Sequence, residues 1–153
     1  MALRNIVKVG NPVLREKCRV VTEFDDHLAA LIDDMKETML AADGVGLAAP
    51  QIGIIRRIVV LSSDREKFYE LVNPVITKSS GSQINTEACL SVPGKHGSVE
   101  RPASITVEAQ DRTGEKHTYR IKGFLAVIFC HEIDHLDGVL YTDKVVGGIL
   151  EDK

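Results

Sequence analysis

No stretch of this 153-residue sequence approaches the roughly 20 consecutive apolar residues of a membrane-spanning helix, so no membrane anchor is expected. The opening residues, "MALRNIVKVGNPVL", have neither a long apolar stretch nor a small-residue cleavage site, so export is not expected either. Cysteine is scarce and odd in number: Cys18, Cys89 and Cys130. Without an export signal this argues against a disulfide framework and for a reducing compartment. Low-complexity tracts and internal repeats are missing, which sets aside solenoids and disordered tails. The 19 Lys and Arg are scattered and the net charge is −3, so no dedicated nucleic-acid or membrane-binding surface is expected. These exclusions leave a cytoplasmic globular chain, expected to be a monomer.

What is present fits one domain spanning 1–153, long enough to bury its own core. Across Thr22–Ala42, apolar residues recur at Leu28, Leu31, Ile32, Met35 and Met39, the stripe of an amphipathic helix, with Thr22 as the expected N-cap. Asp43-Gly44 ends that helix and opens a loop, "DGVGLAAPQIG". "IVVL" at Ile58–Leu61 reads as a buried strand, and Tyr69–Ile76 as another, interrupted near Asn73-Pro74. Ile105, Val107 and Ala109 alternate with polar residues before the turn "DRTG", and "EKHTYRI" completes a hairpin. From Gly123 the period returns to helical: Phe124, Val127, Ile128, His131 and His135 fall on one stripe, and Gly138 stands where a stop is expected. Helices and strands are segregated, which predicts an α+β fold with mixed or antiparallel strands around a central helix and an amphipathic helix near the N-terminus.

That central helix carries His131-Glu132-Ile133-Asp134-His135, an H-E-x-x-H pattern. Residues i and i+4 share a helix face, so both imidazoles can point at one ion. Glu132 lies off that line but within reach of a water on the ion, where a general base for hydrolysis belongs. A helix end with two solvated histidines is the bland alternative. Against it, "FLAVIF" is apolar and both histidines continue its stripe, where unpartnered imidazoles would be costly. A catalytic site needs a third protein ligand and an open position. Downstream candidates are Asp137, Asp143 and Glu151, none in a known peptidase spacing. Upstream, Cys89 stands in "EACLSVPG", a turn-rich segment, and its thiolate would suit zinc or iron(II).

Three separated motifs resemble those of the peptide deformylases. Gly44-Val45-Gly46-Leu47-Ala48-Ala49-Pro50-Gln51 is similar to that family's G-x-G-x-A-A-x-Q, Glu87-Ala88-Cys89-Leu90-Ser91 to its E-G-C-L-S, and His131–Leu136 to its H-E-x-D-H-L. "VKVGNPVLREKCRVV" resembles the family's start, so the likeness spans essentially the whole chain. The resemblance implies a metal hydrolase that removes the formyl group from the N-terminal methionine of nascent polypeptides, near the ribosome. It implies that Cys89, His131 and His135 hold one divalent ion, iron(II) by usual preference, with zinc, nickel or cobalt also accepted. On the same resemblance a water or hydroxide would complete the coordination and attack the formyl carbon, with Glu132 expected to take up a proton and return it to the leaving amine. The oxyanion then meets the Gln51 amide and the Leu90 backbone N–H. Gly44 and Gly46 run beside the substrate, and Val45, Val127 and Ile128 are candidates for the methionine pocket. Glu87 and Arg101 are implied to pair behind the ligand cysteine.

Three positions depart from the pattern. Ala88 replaces the glycine before the ligand cysteine, which narrows the groove or, at positive φ, strains the backbone. Cys130 replaces a glutamine and is read as a small buried hydrophobe rather than a fourth ligand, which would close the site. His96 stands where an arginine near the substrate rim is usual. The residues after Asp143 leave little room for the long C-terminal helix of some members.

Overall fold

The computed structural model describes residues 2–152. Helix α1 runs Asp26–Ala41 and is capped by Asp25, whose carboxylate accepts the Leu28 N–H at 3.0 Å. The expected cap at Thr22 is therefore corrected. Val21 and Phe24 pack into the same apolar cluster as the α1 stripe, which keeps the chain extended until Asp25. Leu28, Leu31, Ile32, Met35 and Met39 are all buried, as the periodicity predicts.

Among the described residues, eight strands follow. β1 (Gly46–Ala48), β2 (Ile58–Leu61), β3 (Tyr69–Ser80), β6 (Ser104–Gln110) and β7 (Lys116–Lys122) form one sheet in the order β1-β2-β3-β6-β7. β4 (Gln83–Cys89), β5 (Val92–Arg101) and β8 (Val145–Glu151) form a second in the order β4-β5-β8. Every pairing between these strands is antiparallel. Helix α2 (Phe124–His135) carries the histidine motif.

The larger sheet explains "IVVL". Successive side chains of a strand point to opposite faces. Ile58 and Val60 join the cluster under α1, whereas Val59 and Leu61 join the cluster that holds Phe129 and Ile133 of α2. A strand buried on both faces shows a continuous apolar run instead of alternation. The helices thus cover opposite faces of the sheet, and α2 is buried along nearly its whole length. Phe124, the first residue of the helix, is the exception at 51% exposed.

Other differences have local causes. Asn73-Pro74 does not interrupt β3 but forms a bulge within it. Asn73 takes φ 53° and exchanges hydrogen bonds with Val21 in both directions, at 2.8 and 2.9 Å. Asparagine tolerates that left-handed backbone, and Pro74 needs no ladder donor. The loop after α1 contains β1, whose three residues are buried against β2. The turn-rich segment around Cys89 is a hairpin: Cys89 faces Val92, leaving Leu90-Ser91 as a two-residue turn. Only Val92, Val99 and Tyr141 form the buried part of the cluster there, so little apolar alternation marks these strands.

At the β6–β7 turn, Asp111 accepts hydrogen bonds from the Thr113 hydroxyl and backbone, from the Glu115 N–H, and from His117. The Thr113 hydroxyl above all, with His117, holds its carboxyl well below the ordinary value of 3.8. A carboxyl with a depressed folded pKa stabilises fully above its unfolded value and loses that contribution as pH falls through the folded one. Asp111→Asn is therefore expected to lower Tm at pH 7 and to flatten the fall in Tm below about pH 4. Thermal melts from pH 2 to 7 measure this. Equal Tm differences at both ends would contradict it.

Candidate metal centre

Helix α2 and the β4–β5 hairpin bring the site together. The Cys89 sulfur and one ring nitrogen each of His131 and His135 lie within 4.8 Å of one another, with Cys89 Sγ 3.4 Å from His135 Nε2. Both histidines are buried and Cys89 is half-buried. The downstream alternatives are elsewhere: Asp137 pairs with Arg57 and Asp143 with Arg15, while Glu151 is exposed on β8. Cys130 is buried outside the cluster, and burial pushes its thiol up to about 11.

Behind the cluster, Arg101 grips Glu87 through two hydrogen bonds of 2.9 Å, and Glu87 Oε1 holds His131 Nδ1 at 2.8 Å. Arg101 also reaches Asp134 at 2.6 Å. Such a carboxylate fixes the ring and turns the other nitrogen toward an ion. Burial works to raise the Glu87 carboxyl, yet Arg101 and His131 together keep it below the ordinary range. Tyr141 stacks on the His131 ring, with ring centroids 5.8 Å apart. Neither Asp134 nor Tyr141 has a role in the sequence reading. Tyr141 carried no signal there; Asp134 stood inside the motif.

Glu132 is 4% exposed, with Oε2 3.9 Å from His131 Nε2 and Oε1 buried without a hydrogen-bond partner among the described residues. Burial pushes its carboxyl up to about 7. On His131, burial acts to lower the pKa, but Glu132, Cys89 and Glu87 outweigh it and raise the ring to about 10. His135 is driven well below its ordinary value by burial and by the positive His131 beside it. One sulfur and two nitrogen donors converge beside the Glu87 and Glu132 carboxyls. That arrangement fits a borderline-soft divalent cation, which would take the place of the proton there.

The remaining residues surround this point. Gln51 is buried: its Oε1 accepts the Ala48 N–H at 2.9 Å, and its Nε2 lies 3.1 Å from Ser91 Oγ and 3.5 Å from Cys89 Sγ. Ser91 stood in the quoted motif without an assigned role. The Leu90 N–H donates to no backbone carbonyl of the described residues. A groove of about 310 Å³ passes over Cys89, Leu90, Gln51, Glu132, Gly44 and Gly46. An apolar pocket of about 190 Å³ opens from it, lined by Val45, Ala88, Phe124, Val127 and Ile128. Ala88 borders both and is not among the residues at positive φ, so its methyl shapes the groove without straining the backbone. His96 is bonded to Asp152 at 2.6 Å, and Asp152 and Lys95 reach the groove rim.

The two loop glycines are explained by close approach. A Cβ on Gly44 would meet the Leu90 side chain at 2.6 Å, and one on Gly46 would meet the Glu132 carboxylate at 2.5 Å. Gly46 therefore sets where Glu132 can stand. Gly46→Ala is expected to displace the carboxylate and destabilise by about 1–3 kcal/mol, as overpacking does. Denaturant melts with kcat would show both losses, and a fully active variant would refute the contact's importance.

On an α+β scaffold, a Cys-His-His cluster beside a protonatable glutamate fits a metal-dependent hydrolase. The family model described as polypeptide deformylase matches residues 3–148. A peptide deformylase of Acetivibrio thermocellus is 51% identical over all of this chain and 89% of that protein. One of Heliobacterium modesticaldum is 52% identical over 95% of each. The crystal structure of the Thermotoga maritima peptide deformylase superposes with TM-score 0.92 at 39% identity, covering 94% of this chain and 98% of that one. The chain belongs to the polypeptide deformylase family. Among the described residues, no helix is long and apolar enough to cross a membrane.

Proposed function

We propose that this chain, as a single catalytic domain in the cytoplasm, removes the formyl group from the N-terminal formyl-methionine of nascent polypeptides near the ribosome. The observation that carries the reading is the convergence of Cys89, His131 and His135 beside Glu132 in a peptide-sized groove. These three residues would hold one divalent ion, iron(II) natively, with zinc, nickel or cobalt as substitutes. When bound, the ion acts as a Lewis acid that makes water nucleophilic near neutral pH.

Glu132 takes a proton from the attacking water and delivers it to the departing amine, a role suited to a carboxyl raised to about 7. The Gln51 side-chain amide and the Leu90 N–H donate to the formyl oxygen as it gains charge. Loss of one such donor costs about 3–4 kcal/mol of barrier. Substrate lies along Gly44, Val45 and Gly46. Its methionine side chain fills the pocket of Val45, Val127 and Ile128, whose apolar lining supports that choice. Val127 and Ile128 are buried in α2, whereas Val45 is 44% exposed at the pocket's open side.

The test is an anaerobic assay on formyl-Met-Ala-Ser, with metal analysis of the same sample. Release of the free amine by an iron-, nickel- or cobalt-loaded sample is expected. No release by any of the three would overturn the reading.

A further inference from the structure

Residues 2–8 belong to no helix or strand, yet the three residues Val7–Val9 bond to both elements that carry the proposed oxyanion donors. The Val7 N–H donates to the Gln51 carbonyl at 2.7 Å, and the Val9 N–H to the Ser91 carbonyl at 2.7 Å. Between them, Lys8 Nζ donates to the Leu90 carbonyl at 3.3 Å. The segment is anchored upstream on α1, where Arg4 pairs with Asp34 at 2.9 Å and its N–H reaches Thr38 Oγ1 at 3.0 Å. Downstream, Asn11 caps a short 3-10 turn that buries Leu14.

We propose that Val7–Val9 is a strap that positions the oxyanion donors, and that Lys8 is its positioning side chain. This rests on the reading of Gln51 and Leu90 as those donors. The Leu90–Ser91 peptide is the middle unit of the two-residue turn between Cys89 and Val92. Turn types I and II differ in the orientation of that unit, so it is the part of a tight turn that can rotate. Rotation would swing Ser91, whose hydroxyl holds Gln51 Nε2 at 3.1 Å. Lys8 holds the carbonyl of that middle unit and Val9 holds the carbonyl of Ser91 itself, so rotating the unit breaks the Lys8 bond while Val9 pins the residue that follows. Lys8 and Val9 are exposed, so core packing is not what they contribute. Besides their bonds to the turn, the Lys8 carbonyl accepts only the neighbouring Asn11 N–H, at 3.2 Å, among the described residues.

Lys8→Met keeps the aliphatic stem and removes the donor. On formyl-Met-Ala-Ser it is expected to lower kcat about three- to tenfold, the worth of one partly exposed charged hydrogen bond, with KM, Tm and metal content unchanged. Lys8→Arg should restore most of the loss. In a Gln51→Ala background the effect of Lys8→Met should shrink to less than about twofold, because both changes act on the same donor set. An activity-free readout is the ¹⁵N–¹H spectrum of the zinc-loaded protein. The Leu90 amide and Gln51 side-chain peaks should shift or broaden in Lys8→Met, while the β6–β7 hairpin amides stay in place. Unmoved Leu90 and Gln51 peaks, a wild-type kcat, or a full effect retained in Gln51→Ala would each overturn the strap. Shifted peaks in a protein whose parent fails to deformylate would uphold the strap and condemn the functional reading instead.

Discussion

Glu132→Gln is expected to lower kcat on formyl-Met-Ala-Ser by about 10²–10⁴-fold, the usual contribution of a positioned acid–base group. The substitution preserves shape, so bound metal and helical content should match the parent. Two features make the loss large. The carboxylate is 4% exposed, which keeps solvent from replacing it as proton carrier. Its Oε1 has no hydrogen-bond partner among the described residues, so the oxygen is not spent on holding the fold. For the same reason the variant should melt no lower than the parent, because a buried, poorly satisfied carboxyl is replaced by a neutral amide. Kinetics, metal analysis and thermal melts on one preparation check all three. Activity within tenfold of the parent, with metal retained, would remove Glu132 from the mechanism.

Arg101→Met is expected to cause the largest loss of stability, about 3–5 kcal/mol, the cost of stripping one partner from a buried ion pair. Arg101 is 3% exposed and engages Glu87 and Asp134 together. Without it Glu87 faces only His131 in a buried setting. The loss should depend on pH. Glu87 has a depressed folded pKa, so the pair's contribution is present above its ordinary value of 4.5 and fades as pH falls through the folded value. The gap between parent and variant should therefore be widest near neutral pH and narrow on acidification below about pH 4. Urea denaturation at several pH values measures it. A gap independent of pH would assign the loss to packing of the arginine stem. Metal affinity should fall too, because Glu87 orients His131.

The parts of this protein that follow a short period were legible in its sequence. The α1 stripe, the β6–β7 hairpin and the H-E-x-x-H spacing are local patterns, in which residues two to four apart dictate which side chains share a face. The two histidines could be put on one side of α2 by counting alone. Where the signal was not local, it faded. The β4–β5 hairpin that carries Cys89 buries few side chains, so its alternation is weak and the segment looked like turns. The Asp25 cap and the bulge at Asn73 both depend on Val21, which is distant from Asn73 in sequence but packed against its strand.

The sequence by itself determined that His131 and His135 share one face of α2 with Glu132 off that line, because helical geometry leaves little choice. It also put Gly44 and Gly46 in the loop that follows α1. Only the tertiary structure decided what they approach, which is Leu90 and Glu132. Cys89 stands 42 positions before His131 in the chain, and the folded hairpin is what carries its sulfur to within 3.4 Å of His135. The same packing turns Ala88 from a suspected backbone strain into a methyl at the junction of groove and pocket. It also lays Lys8 on the turn that follows Cys89. Those relations are made by chain segments meeting across the sheets, and no local period encodes which distant segment will be the neighbour.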